Sequence, residues 1–206
     1  MSKVWTDAEL AGRFLDVIER DIVPRTAVGV EAGNKVFGAA ILLKRDGSLV
    51  VAETNNETEN PLWHGEMHAL KRFYELDRAT LPAPSECLFL STHEPCSLCL
   101  SAITWGGFDN FFYLFSHEDS RDAFAIPHDI RILREVFATG PRAEGAPLYN
   151  RRNAFWQARA IPDLAAAAAE PARTALRARI ETIGATYARL SARYQAGKGG
   201  ASIPLP

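Results

Sequence analysis

Two short segments hold the residues able to do chemistry: His64-Gly65-Glu66, and further along Pro95-Cys96-Ser97-Leu98-Cys99. A Cys-x-x-Cys pair alone also occurs in redox sites. Here it opens an expected helix, and another expected helix, carrying His64, precedes it. Helix N-termini favour negative charge, so two thiolates there are stabilised even before a metal arrives. Two thiolates and one imidazole make a three-ligand zinc set that leaves the fourth tetrahedral position open for water, as a catalytic zinc does. A closed structural site would need a fourth protein ligand. The remaining cysteine, Cys87, lies in an apolar run and reads as core packing. Zinc lowers the pKa of its water towards neutrality. A carboxylate two residues from the zinc histidine, Glu66, could then relay protons as general base and general acid.

The elements that must position these groups follow from pattern. Thr6-Asp7-Ala8-Glu9 is a capping box, and Leu10, Phe14, Val17 and Ile18 recur at helical spacing behind it, giving a first helix that stops near Pro24. Apolar runs at Val36 to Leu43 and Ser48 to Ala52 flank Lys44-Arg45-Asp46-Gly47, and Asp-Gly between such runs signals a hairpin. The polar, Asn-rich stretch from Glu53 to Asn60 reads as a loop. A second helix is expected from Trp63 through Met67, Leu70, Phe73 and Leu76, a buried strand at Cys87 to Ser91, a third helix from Cys96 to Trp105 ended by Gly106-Gly107, and a strand at Phe111 to Phe115. Strand–helix–strand alternation argues for a layered α/β domain with a mixed sheet.

After residue 117 the pattern changes. Asp129 to Phe137 and Asn150 to Ala160 read as short helices. Ala165 to Tyr194 reads as an amphipathic helix with Leu176, Ile180, Ile183, Tyr187 and Leu190 on one face, packed on the domain or on a partner subunit. Residues 197–206 read as a disordered tail.

Composition bounds the function classes. The chain of 206 residues is 47% hydrophobic and 23% charged, an ordinary globular balance. Its net charge of −2 lacks the basic excess that gripping a long phosphate backbone requires, which lowers the case for a nucleic-acid partner. Three cysteines suit a reducing compartment better than a disulfide framework. No apolar run approaches the roughly 20 residues of a membrane span, and residues 1–10 lack a signal core, so a cytoplasmic location is expected.

The signature His-x-Glu…Pro-Cys-x-x-Cys resembles that of the cytidine/deoxycytidylate-type zinc deaminases. The resemblance implies an α/β fold of three layers (α/β/α, cytidine deaminase-like) with a central mixed sheet. It also implies zinc held by His64, Cys96 and Cys99, with Glu66 as proton shuttle. Within that family the sequence looks most like bacterial-type guanine deaminases. Asn60-Pro61 before His64 is similar to their Asp-Pro-x-x-His approach, Ser101-Ala102-Ile103-Thr104-Trp105 to their Gly-Ala-Ile-x-Trp, and the stretch after His117 to their helical C-terminal extension. The implied organisation is a zinc deaminase domain over 1–160, a helical extension over 161–196 and the tail. The chain departs from the pattern in a shorter Asn-rich loop, in Gly65 where alanine is commoner, and in the bulk of Trp63.

For the substrate the resemblance implies contacts beside the zinc, each with a plainer alternative. Asn55 or Asn56 would pair with the polar edge of a base, or simply form turns. Trp105 would stack on the ring, or serve as core. Asp129, next to His128, would contact the substrate, or cap a helix. Trp63 would wall the pocket or anchor its helix. Arg173, Arg177, Arg179, Arg189 and Arg193 read as a solvated helix face. The reaction expected is hydrolytic release of ammonia from a small heterocyclic substrate, guanine or an aminotriazine. Cytosine or cytidine (favoured by Gly65), adenosine in tRNA, and a non-enzymatic zinc-stabilised interaction module are the alternatives. A homodimer is expected, because relatives complete pockets across subunits and the stripe from Leu176 to Leu190 wants a partner.

Overall fold

The computed structural model describes residues 4–136 and 149–197. Helix α1 (Asp7–Val17) starts at the expected capping box: the Glu9 amide donates to Thr6 Oγ1 at 3.2 Å and the Thr6 amide to a Glu9 carboxylate oxygen at 2.9 Å. The helical path does not stop near Pro24. A π-turn (Ile18–Ile22), in which the Val23 amide bonds the Ile18 carbonyl, re-phases it into α2 (Val23–Glu31), and Pro24 follows directly on that widened turn.

Strands β1 (Gly38–Leu43) and β2 (Leu49–Thr54) form the expected hairpin, with Gly47 at φ +72° in its turn. Then come α3 (Gly65–Tyr74), β3 (Cys87–His93), α4 (Ser97–Trp105) and β4 (Asn110–Phe115). Helix α5 (His117–Asp122) was not anticipated, although Ser116 and Asp119 form a capping box that announces it. Helix α6 (His128–Glu135) matches the element expected there; Phe137 lies outside the described residues.

The helix expected over Asn150 to Ala160 is instead β5 (Gln157–Ala160), paired in parallel with Asn110–Tyr113 of β4. Pairing at a sheet edge outweighs the local preference of an Ala/Arg segment, a non-local effect no window of sequence contains. The long C-terminal helix is split into α7 (Ile161–Ala167) and α8 (Ala172–Gly197), because Pro171 lacks the N–H to continue the ladder and disfavours helix at Glu170.

The sheet of described residues has the order β2-β1-β3-β4-β5, antiparallel on the β1 side and parallel from β3 onward. Both faces are covered. Ala40, Leu42, Leu88, Leu90, Phe112 and Leu114 pack with α1, α2, α7 and α8 in one core; Ala39, Ile41, Phe89, Phe111 and Tyr113 pack with α3 and α4 in the other. Successive side chains point to opposite faces, so strands buried on both sides read as largely apolar runs, as Phe111–Phe115 of β4 does. The three-layer α/β/α arrangement with a mixed sheet is thus observed directly.

The apolar face of α8 needs no second subunit. Leu176, Ile183, Tyr187 and Leu190 are buried in the core shared with α1 and α2. Nor are all its arginines a solvated face: Arg179 bridges Asp16 and Glu19 at 2.7 and 2.8 Å, and Arg193 pairs with Glu31. No helix of the described residues is long and apolar enough to cross a membrane.

Candidate metal centre

The site lies where the starts of α3 and α4 converge beside the carboxyl end of β3. His64 and Cys96 are both N-cap residues with extended backbone (φ −61°, ψ 161° and φ −67°, ψ 172°), so His64 precedes its helix instead of riding on it. Glu66 and Cys99 stand in the first turns of α3 and α4. Neither N-cap side chain bonds its own helix, which leaves both for other work. In their place, Asn55 Oδ1 accepts the Gly65 amide at 2.6 Å.

Gly65 is demanded by backbone contact. A Cβ there would lie 2.8 Å from Gly38 Cα and 2.9 Å from the Phe37 carbonyl oxygen. The start of α3 presses on the start of β1, and this accounts for the glycine without reference to substrate.

Cys96 Sγ and Cys99 Sγ are 3.6 Å apart, and His64 Nδ1 is 3.5 and 3.8 Å from them. A tetrahedral zinc with Zn–S of ~2.3 Å and Zn–N of ~2.05 Å has S···S and S···N edges of about 3.8 and about 3.6 Å. The donor triangle therefore fits zinc in both chemistry and size. It is the one cluster of three or more candidate ligands with atoms mutually within 4.8 Å among the described residues. Cys87 is a free, buried thiol of β3 outside that cluster, packed in the core as expected.

Electrostatics point the same way. Burial alone would depress the His64 pKa, but its hydrogen bond to Cys96 and the charges of Cys96, Glu66 and Glu57 outweigh it and lift the value to about 9. The Cys96 thiol is held well below its ordinary value by hydrogen bonds from Cys99 and His64, while burial and Cys96 push Cys99 well up. A Cys96 thiolate facing a cationic His64 is thus favoured at the cluster.

Glu66 is buried, with Oε1 accepting from Ser91 Oγ at 2.9 Å and Oε2 3.4 Å from Cys99 Sγ. Burial, then the charge of Cys96, raises its pKa. The cleft in front is lined by Phe37, His64, Glu66, His93, Glu94, Cys96, Cys99 and Asp129.

Of the expected substrate contacts, Asp129 faces this cleft. It sits in the first turn of α6 and is not the cap, which is Pro127. Burial, then the charge of Cys96, lifts its carboxyl to about 7. The others lie elsewhere. Asn55 is buried beside the cleft, but both ends of its amide are engaged, by Gly65 and by Glu57 Oε2 at 2.9 Å. Asn56 bonds Glu59 at 2.6 Å, and Trp63 stacks on His68 with centroids 5.8 Å apart. Trp105 is 93% exposed. It ends the nine-residue helix whose other end carries Cys96, and that helix runs about 13 Å. Trp105 thus does not stack in the pocket of its own chain.

Sequence reasoning missed several residues here. Glu57, buried, forms a 2.6 Å ion pair with buried Lys35 and lies 4.0 Å from His64 Nε2, on the side of the ring away from the thiols. Carboxylates commonly orient metal-binding histidines in this way. Glu94 accepts from Tyr149 Oη at 2.5 Å and from the His117 amide at 3.0 Å, and His93 lines the cleft from the end of β3. Acidic residues in a polar loop look solvated; only folding buries them.

A family model, the zinc-binding region of cytidine and deoxycytidylate deaminases, matches residues 24–115. The chain is 33% identical over 104 residues to the guanine deaminase of Bacillus subtilis (strain 168), a match covering 46% of this chain and 60% of that protein. The chain thus spans only about 60% of the length of this curated relative. Among solved structures it resembles a guanine deaminase from Nitrosomonas europaea, at 20% identity and a TM-score of 0.49 over 90% of this chain and 88% of that one. It also resembles a guanine deaminase from Bacillus subtilis, at 26% identity and a TM-score of 0.49 over 68% and 86%.

Proposed function

We propose that this chain, whose residues 24–115 match the zinc-binding region of cytidine and deoxycytidylate deaminases, is a hydrolytic deaminase of a small aminoheterocycle, with guanine favoured. The observation that carries the reading is the placement of a buried carboxylate, Glu66, against a two-thiolate, one-imidazole set of zinc dimensions. A purely structural zinc site has no use for it.

His64, Cys96 and Cys99 would hold the zinc, which supplies Lewis acidity that makes water a competent nucleophile at neutral pH. Glu66 takes a proton from the attacking water and passes it to the ring nitrogen, then assists protonation of the departing amine. The C–O bond forms, the C–N bond breaks, and ammonia leaves with a carbonyl in its place. Ser91 pins Oε1 of Glu66, leaving Oε2 as the mobile-proton oxygen on the ligand side. Asp129 faces the same cleft as an acceptor for amine or ring N–H groups. The name of the Bacillus subtilis relative favours guanine over an aminotriazine, cytosine or adenosine.

The same reading includes a homodimer in the cytoplasm. The exposure of Trp105, which an interface would cover, supports the first, and three free cysteines support the second.

The test is ammonia release by zinc-loaded protein from guanine, cytosine, adenine, their nucleosides and ammeline, beside a Glu66→Gln variant. Turnover of guanine, with zinc retained and the rate cut by about 10²–10⁴ in the variant, is expected. Undiminished activity in Glu66→Gln sinks the mechanism, and silence on every compound sinks the function.

A further inference from the structure

We propose that His93 is a substrate-recognition residue, its Nε2 accepting a hydrogen bond from an N–H of the heterocycle in the cleft. The proposal rests on the deaminase reading above and adds to it a selection for rings that present a donor on this wall.

His93 ends β3, is 2% exposed, and lines the cleft together with Glu66, Asp129 and the three donor residues. Its Nδ1 is 2.9 Å from Thr92 Oγ1, and its Nε2 is buried without a partner among the described residues. The contacts of Thr92 favour one of the two tautomers. Thr92 Oγ1 donates to the Gly38 carbonyl at 3.1 Å and accepts the Gly38 amide at 2.9 Å. A hydroxyl has one proton, so it can serve both the Gly38 carbonyl and Nδ1 only as donor to the first and acceptor from the second. In the tautomer that serves both, Nδ1 holds the hydrogen and Nε2 presents a lone pair. The alternative tautomer would take the proton from Gly38 and leave a buried N–H unpaired.

Burial keeps the ring neutral, with its pKa pulled down to about 3. The ring is fixed among Phe37, Phe115, Phe124 and Tyr187, with centroids 4.6 to 5.4 Å away. An imidazole used only as filler would leave an acceptor permanently unpaired where leucine or phenylalanine would not. A rigid, neutral acceptor on a residue that lines the cleft meets its need when a substrate N–H reaches it. A ring lacking that donor leaves the nitrogen unpaired, and such a site discriminates strongly.

Two measurements test this. The first titrates guanine, cytosine, adenine and ammeline into zinc-loaded Glu66→Gln protein labelled with ¹⁵N-histidine. Each compound that the wild type deaminates should move the unprotonated Nε2 resonance of His93 upfield, as acceptance of a hydrogen bond does. The second compares His93→Phe with His93→Gln, which keeps an acceptor. The expectation is a loss of about ten- to a hundredfold in kcat/KM for the former and partial recovery in the latter. An unmoved resonance during binding of a deaminated compound overturns the proposal, and so does wild-type kcat/KM in folded His93→Phe. If His93→Phe does not fold, the resonance decides alone. A wild type that releases ammonia from none of the four compounds overturns the deaminase reading itself, and this proposal falls with it.

Discussion

Asn55 Oδ1 accepts the backbone N–H of Gly65 at 2.6 Å, so a loop side chain closes the first turn of the helix that carries Glu66. Its Nδ2 donates to Glu57, the carboxylate beside His64. One amide thus ties both halves of the His-x-Glu segment to the loop after β2.

Asn55→Ala should therefore act on the site through position. It leaves a helix amide and a buried carboxylate oxygen each short of a partner, at a cost of about 1–3 kcal/mol. Denaturant titration should show that loss, and zinc affinity measured against a competing chelator should fall with it. Wild-type values of both would refute the role.

Gly65→Ala should be expensive despite adding a single methyl group. The new Cβ meets main-chain atoms of Phe37 and Gly38, which cannot rotate away. A destabilisation of about 1–3 kcal/mol is expected, with displacement of α3 and lower zinc retention. An unchanged melting temperature would show that the hairpin and helix can part freely.

Lys35 and Glu57 make a buried 2.6 Å ion pair beneath His64. Glu57→Leu alone strands the ammonium and should cost about 3–5 kcal/mol. The double change Lys35→Met with Glu57→Leu should recover most of that stability. It should not recover zinc affinity, because the carboxylate beside His64 Nε2 is gone. Equal stability of single and double variants would contradict the pairing.

Asp7 and Arg159 join α1 to β5 through two contacts of 2.8 and 2.7 Å. The hydrogen bond and charge of Arg159 lower the Asp7 pKa against a smaller effect of burial. A depressed carboxylate adds stability above its unfolded pKa and loses it as the pH falls through the folded value. Asp7→Asn should thus be less stable than the parent at neutral pH, by at most about 1 kcal/mol for so exposed a pair. The gap should close on acidification. A gap that persists or widens in acid would count against the bridge.

The chemistry-bearing residues were legible because metal binding depends on residue type and short spacing, both local properties. His64, Glu66, Cys96 and Cys99 are separated within each segment by less than one helical turn, so each segment brings its own pair together. The capping box at Thr6, the Asp46-Gly47 turn and the doubly buried strands likewise express nearest-neighbour rules and burial on two faces. What lay beyond the sequence required contact between distant segments. The edge pairing that makes Gln157–Ala160 a strand depends on β4, whose Asn110 pairs with Gln157 far along the chain. The burial of Glu57 depends on Lys35, and the fit of Gly65 on Gly38. The exposure of Trp105 depends on which end of α4 faces the site, and the lone pair of His93 on a threonine that bonds across to β1. By itself the sequence determined which atoms could hold a metal and move a proton. Only the tertiary structure decided which side chains surround them, because burial, orientation and tautomer are set by neighbours that the order of residues does not place.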